Sequence, residues 1–206
     1  MPEIPWLLDC SSTVDHIQCI DHGIDACRQA ELIPEILIGD LDSARKDSIA
    51  WARSLNVPIE RHPVDKDLTD TQLALERIER AVDPIDKLPF VIITGAFGGR
   101  LDHLYANLFT CAHANVRTCL ADQHEVVLFI RSGESIVVEL FENPIALSLL
   151  PITDPCLGVS IDGVHWQLDH ADLHQALPNA ISNRVEQDRI CISIERGILA
   201  ICLTFH

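Results

Sequence analysis

A chain of 206 residues has room for one large domain or two small ones. Its formal net charge of -16, from 31 acidic and 15 basic residues, speaks against a nucleic-acid surface, which needs a basic patch to displace counterions. At 48% hydrophobic it can fill a sizeable core, yet no apolar run approaches the about 20 residues that a membrane span requires.

The acidic balance favours solubility and leaves a phosphate ligand open, because a bound divalent ion reverses the local sign. The eight cysteines, at 10, 19, 27, 111, 119, 156, 191 and 202, include no CxxC pair, and most lie in apolar company such as "CISI" and "AICLTF". That usage fits reduced core cysteines in a cytoplasmic protein better than a disulfide framework. The N-terminal stretch "MPEIPWLLDCSSTVD" has neither a basic segment nor a long apolar one, so no secretory signal is expected.

In chain order, "WLLDCS" and "IQCID" read as strands, "ACRQAEL" as a helix and "EILIGD" as a buried strand. "DSIAWARSLN" reads as a helix that ends before "VPIERHPV". "LTDTQLALERIERAV" is the clearest helix, "PFVIITG" a continuous apolar strand and "RLDHLYANLFTCAHA" a further helix. Strands alternating with helices imply a mostly parallel sheet covered by helices. After about residue 122 the texture changes to short Val-, Ile- and Leu-rich runs: "EVVLFIRSG", "SIVVELFE", "IALSLLPI", "LGVSIDGV", "RICISIER" and "GILAICLTF". Turn residues separate them, and only "LDHADLHQAL" reads as a short helix. The expected fold is therefore an α/β domain over residues 1–122 followed by an all-β sandwich or barrel over 123–206.

Three stretches carry candidate chemistry. In "GDLDS", Gly39 ends a buried strand, and ligands of open α/β sheets bind outside such carboxyl ends. If the chain stays extended, Asp40 and Asp42 point to the same side and repel, a conflict that a hard cation such as Mg2+ would remove. The competing reading is a solvated turn with Ser43 as a helix cap. In "DKDLTD", Thr69 and Gln72 make a T-x-x-Q capping box, so a helix starts at Asp70. Asp70 complements the helix dipole, which is reason enough for its presence. Asp65, Lys66 and Asp67 crowd the same helix start, which equally suits a metal and phosphate site. In "GAFGGRLDH", Gly95, Gly98 and Gly99 form a strand-to-helix turn whose backbone N–H groups can approach a phosphate. That spacing matches neither the dinucleotide fingerprint nor the Walker pattern. Arg100 is the natural phosphate fork, and Asp102 and His103 fall in the first helical turn, where His103 also reads as a capping or packing residue. All three stretches follow predicted strands, or begin helices, on one side of one predicted sheet. His165, His170 and His174 cluster with Asp169 and Asp172 but read as a solvated surface, and no HExxH or GxSxG pattern occurs.

Taken together, "GDLDS", "DKDLTD" and "GAFGGRLDH", in this order and at these separations, resemble the thiamine pyrophosphokinase family. The resemblance implies an α/β domain before a β-sandwich domain, and transfer of a pyrophosphoryl group from ATP to the thiamine hydroxyl, giving thiamine diphosphate and AMP. It also implies Mg2+ and a homodimer with thiamine bound near the subunit interface. A weaker C-terminal likeness, "HWQL" with "SNR", places Trp166, Ser182 and Asn183 on the thiamine side. One departure stands out: the family's Asp-Gly-Gly after the second strand is here Asp21-His22-Gly23, so His22 either crowds or contacts the nucleotide.

On this resemblance Asp40, Asp42 and Asp70 would hold Mg2+, with Asp67 outside them. Asp21, Gly23, Lys66, Asp67, Thr69, Gly95, Gly98, Gly99 and Arg100 would lie on the ATP side, with Lys66 and Arg100 on phosphate oxygens. Asp102 would orient the thiamine hydroxyl, beside His103, and Trp166 would stack on the cationic rings or serve as a core tryptophan. The competing readings are a non-catalytic Mg-nucleotide-binding protein of the same fold and a related transferase or hydrolase with another acceptor.

Overall fold

The computed structural model describes residues 1–63, 65, 67–82 and 88–206. By its contacts the chain divides into two units: Met1–Pro89 with Thr94–Gly99, and Phe90–Ile93 with Arg100–His206.

The first unit holds helix α1 (Ile4–Ser11), strand β1 (Gln18–Ile20), α2 (Gly23–Gln29), β2 (Ile36–Gly39), α3 (Lys46–Ser54), β3 (Ile59–Arg61) and α4 (Asp70–Ala81). Its three strands form a parallel sheet in the order β1-β2-β3. All four residues of β2 are buried because both sheet faces are covered. Cys19 and Leu37 pack with Ile24 and Cys27 of α2 and Ala52 of α3. Ile20, Ile36 and Ile38, one step along in the alternation, pack with Ala74 of α4. The expected strand "WLLDCS" is instead part of α1. Pro5 lies in its first turn, where a missing N–H costs nothing, and the hydroxyls of Ser11, Ser12 and Thr13 bond the carbonyls of Leu8, Asp9 and Cys10 at its end.

The second unit holds β4 (Phe90–Ile93), α5 (Leu101–His113), β5 (Arg117–Ala121), β6 (Glu125–Arg131), β7 (Ser135–Glu139), β8 (Ala146–Pro151), β9 (Cys156–Asp162), β10 (Leu168–Leu173), β11 (Arg189–Ser193) and β12 (Ile198–Thr204). They make a five-stranded sheet, β4-β5-β6-β12-β8, and a four-stranded sheet, β10-β9-β11-β7. One core joins the two: Ile130, Leu147, Leu149, Leu199 and Ile201 from the first sheet meet Val159, Ile161, Ile190 and Ile192 from the second. This is the expected sandwich. The expected helix "LDHADLHQAL" is β10. Register shifts against β9 place His170 at a left-handed φ of +50°, where its N–H bonds Ser160 Oγ at 3.0 Å. Those irregularities break the strict alternation of a strand.

β4 pairs in parallel with β5, not with β1–β3, so the glycine-rich stretch leaves a different sheet from the "GDLDS" strand. The expectation that all three stretches share one sheet edge is corrected on that point. Leu101 and Tyr105 of α5 are exposed, while Cys111 and Ala112 are its buried residues. None of the eight cysteines forms a disulfide, and five of them are buried; Cys191 of "CISI" is exposed. Among the described residues, no helix is long and apolar enough to cross a membrane.

Candidate active site

β1 and β2 run parallel as neighbours and release the chain at the same edge. Asp21 follows β1 directly, with a left-handed φ of +44° and its N–H donated to Ile38 O at 2.9 Å. Gly39, the last residue of β2, has φ +139°, and a Cβ built there would stand 2.0 Å from Asp21 Oδ1. The glycine thus leaves a slot that the aspartate fills. Beyond it Leu41 N–H donates to Asp21 Oδ1 at 3.2 Å.

The stretch from Asp40 to Asp42 is not extended. Leu41 takes φ +68°, and Asp42 N–H donates to Asp40 Oδ1 at 3.0 Å. The two side chains are therefore not aligned as along a strand: Asp40 is half-buried, and Asp42 is exposed. Asp70, expected from the capping box, begins α4 as foreseen. Thr69 Oγ1 accepts from Gln72 N–H at 3.3 Å, and Gln72 Oε1 accepts from Thr69 N–H at 2.8 Å. Thr69 is thus occupied as a cap.

Asp21 is where these segments meet electrostatically. Burial above all, with the charges of Asp70 and Asp40 and a side-chain hydrogen bond with Asp70 adding to it and the Leu41 N–H acting the other way, brings its carboxyl up to about 6 from an ordinary 3.8. A hydrogen bond between two carboxyl groups needs one proton between them. Among the described residues no three His, Cys, Asp or Glu side chains form a ready metal cage. The donor chemistry nevertheless fits a hard divalent cation. Mg2+ is commonly held by one or two carboxylates plus substrate phosphates rather than by an all-protein cage, and mutually repelling carboxylates at a sheet edge are relieved by it.

Lys66 lies outside the described residues. Asp67 and His22 are exposed, and Gly23 opens α2 with nothing near its Cα that a side chain would strike. Gly95 and Gly98 take left-handed φ values of +78° and +76°, and Gly98 and Gly99 border open space. That turn leaves its backbone accessible to a ligand.

In the second unit, Arg100 grips Asp102 with both edges of its guanidinium, Nε donating to Oδ1 at 3.1 Å and Nη2 to Oδ2. The Arg100 hydrogen bonds hold the Asp102 carboxyl below its usual range, and His103 N–H adds a bond to Oδ1 at 3.1 Å. Arg100, Asp102 and His103 are exposed at the start of α5. The expected thiamine-side residues meet elsewhere in this unit. Trp166, Leu168, Ile181, Ser182 and Asn183 line a cavity of about 360 Å3. Trp166 is 57% exposed, so it is not a sandwich-core tryptophan. Arg184, which sequence reading passed over, sets its guanidinium carbon 5.5 Å from the Trp166 ring centre. Its place directly after Asn183 in "SNR" was the available signal. Sequence reading also missed the steric role of Gly39, whose only local sign is its position between a buried strand and an aspartate.

Residues 9–121 match the family described as thiamin pyrophosphokinase, catalytic domain, and residues 136–199 match thiamin pyrophosphokinase, vitamin B1 binding domain. The chain is 25% identical over 171 residues to thiamine pyrophosphokinase 1 of Oryza sativa subsp. japonica, covering 81% of this chain and 64% of that protein's length. It is 26% identical over 184 residues to thiamine pyrophosphokinase of Bacillus subtilis strain 168, covering 87% and 83%. The crystal structure of thiamine pyrophosphokinase from Bacillus subtilis superposes with a TM-score of 0.83 at 22% identity, over 100% of this chain and 96% of that one, a likeness of fold.

Proposed function

The chain belongs to the thiamin pyrophosphokinase family, and from that membership we propose that it transfers a pyrophosphoryl group from ATP to the hydroxyl of thiamine. The observation that carries this reading is the crowding of Asp21, Asp40 and Asp70 at the carboxyl edge of the parallel sheet, where burial and like charge lift Asp21 to about 6. Such a site binds a divalent cation and its polyphosphate better than it tolerates being empty of charge partners. Residues 1–122 serve as the ATP- and Mg2+-binding catalytic domain and residues 123–206 as the thiamine-binding and dimerisation domain.

Asp40, Asp42 and Asp70 hold Mg2+, with Asp67 outside them. The ion, when bound, neutralises charge on the phosphates. Asp21 and Gly23 line the nucleotide side with Thr69, and Lys66 and Arg100 take phosphate oxygens. The Gly95, Gly98 and Gly99 turn donates backbone N–H groups. The thiamine hydroxyl oxygen bonds to the β-phosphorus, the bond from that phosphorus to the α–β bridging oxygen breaks, and AMP leaves with that oxygen. Asp102 orients the hydroxyl, with His103 next to it. While paired with Arg100 it is a weak proton acceptor, so a phosphate that draws Arg100 away makes it a better one. Trp166, Ser182 and Asn183 form the thiamine side. The protein is cytoplasmic and a homodimer, a state that the exposed Val137, Phe141 and Ile145 favour.

The test is to incubate the protein with ATP, Mg2+ and thiamine. Thiamine diphosphate with stoichiometric AMP is expected. ADP in place of AMP would indicate kinase or hydrolase chemistry, and bound nucleotide without product would indicate a binding protein.

A further inference from the structure

Among the described residues only three polar side chains are buried: Ser48, Thr118 and Asn183. Ser48 lies in α3, and Thr118 Oγ1 bonds Cys111 O. Asn183, 8% exposed, lies in no named strand or helix. Its side chain is nevertheless almost fully used. Oδ1 accepts from Trp166 N–H at 3.0 Å and from Arg184 N–H at 2.9 Å, and Nδ2 donates to Trp166 O at 2.8 Å. Both acceptor sites of the amide oxygen are filled, and one of two amide protons is taken. The backbone of Asn183 is pinned in turn: its N–H donates to Leu147 O at 2.7 Å, and its C=O accepts from Leu147 N–H at 2.9 Å. Leu147 is fully buried in β8.

An amide so engaged has little left to offer a ligand. We propose that Asn183 is a positioning residue, an amide clamp that ties Trp166 and Arg184 to β8 and so sets the indole as a fixed wall of the 360 Å3 cavity. The same oxygen accepts the main-chain N–H groups of both partners of the Trp166–Arg184 contact, so the two backbone points from which the indole and the guanidinium extend are held together. Ser182, one residue earlier, is left-handed at φ +56°, with its N–H donated to Ser148 Oγ of β8 at 3.0 Å, which anchors the same segment a second time. A buried amide that loses one of these partners leaves polar groups unpaired, so the arrangement is retained or lost as a whole. This inference rests on the reading that the Trp166 cavity serves the acceptor side of the reaction.

The test uses the full chain labelled with 5-fluorotryptophan, the Trp166 resonance being assigned by Trp166→Phe. In Asn183→Ala the 19F resonance of Trp166 should shift and broaden while those of Trp6 and Trp51 stay in place. KM for thiamine should rise about tenfold or more, and KM for Mg-ATP should stay within about twofold, the pattern of lost acceptor binding. Asn183→Asp keeps the shape but sets an acceptor oxygen, and a charge, where the donor to Trp166 O was, and it should move both readouts in the same direction should the alanine variant fail to fold. An unchanged Trp166 resonance in a folded variant overturns the clamp. A shifted resonance with unchanged KM for thiamine overturns its role on the acceptor side. Absence of thiamine diphosphate from the unaltered protein overturns the functional reading itself, and the resonance still decides the clamp.

Discussion

Gly39 is the residue on which the carboxylate arrangement depends. Any side chain there must displace the Asp21 carboxyl, since its Cβ would lie 2.0 Å from Oδ1, and the φ of +139° strains any L-residue. Gly39→Ala is therefore expected to lower kcat/KM for Mg-ATP by about a hundredfold, the scale of an ångström misplacement near the chemistry, with circular dichroism confirming the fold. Asp42→Ala should abolish Mg2+-dependent turnover and leave the fold intact, because Asp42 is exposed on a turn. A folded Asp42→Ala protein with near-normal activity would remove Asp42 from the metal site. Asp21 predicts a pH dependence. Its folded value, about 6, lies above the ordinary 3.8, so the native state holds the proton longer than the unfolded chain. The stabilisation is complete below about 4 and is lost as pH rises through about 6. Urea titrations in a chelator should show that decline, and Asp21→Asn should flatten it.

At the scale of elements, local signals and long-range pairing part company. The capping box is a contact over three residues, and the sequence pattern T-x-x-Q placed the start of α4 correctly. Thr69→Ala should cost about 1 kcal/mol by denaturant titration and should also reduce activity, since Asp70 begins the same helix. The α1 and β10 readings failed for related reasons. A three-residue apolar run does not distinguish strand from helix, and Pro5 in the first turn was the missed cue. In β10 the apolar residues Leu168, Ala171 and Leu173 break the alternation of a strand because the strand is irregular against β9, which no window on β10 alone reveals. β5 was not foreseen as a strand, although its pairing with β4 and β6 makes it the link between the parallel and antiparallel parts of its sheet.

For the whole molecule, stability is expected to rest heavily on the core shared by the two sheets of the second unit. Leu199 is fully buried there on β12, which is flanked by β6 and β8. Leu199→Ala should destabilise the protein by about 3 kcal/mol in a urea titration. The order of an α/β part before a β-rich part was legible from the apolar pattern along the chain, because buried parallel strands, amphipathic helices and short antiparallel strands have distinct periodicities. So were the carboxylates, the glycine turn and the helix start, each a contiguous stretch whose chemistry lies in adjacent residues. Partners distant in the chain were not legible. Asp21 meets Asp70, Gly39 yields its side-chain space to Asp21, Asn183 clamps Trp166, and β4 joins β5 rather than β2. Each of those contacts is set by which strands pair and in what register, and pairing energy belongs to two segments at once, so neither segment carries it in its own pattern.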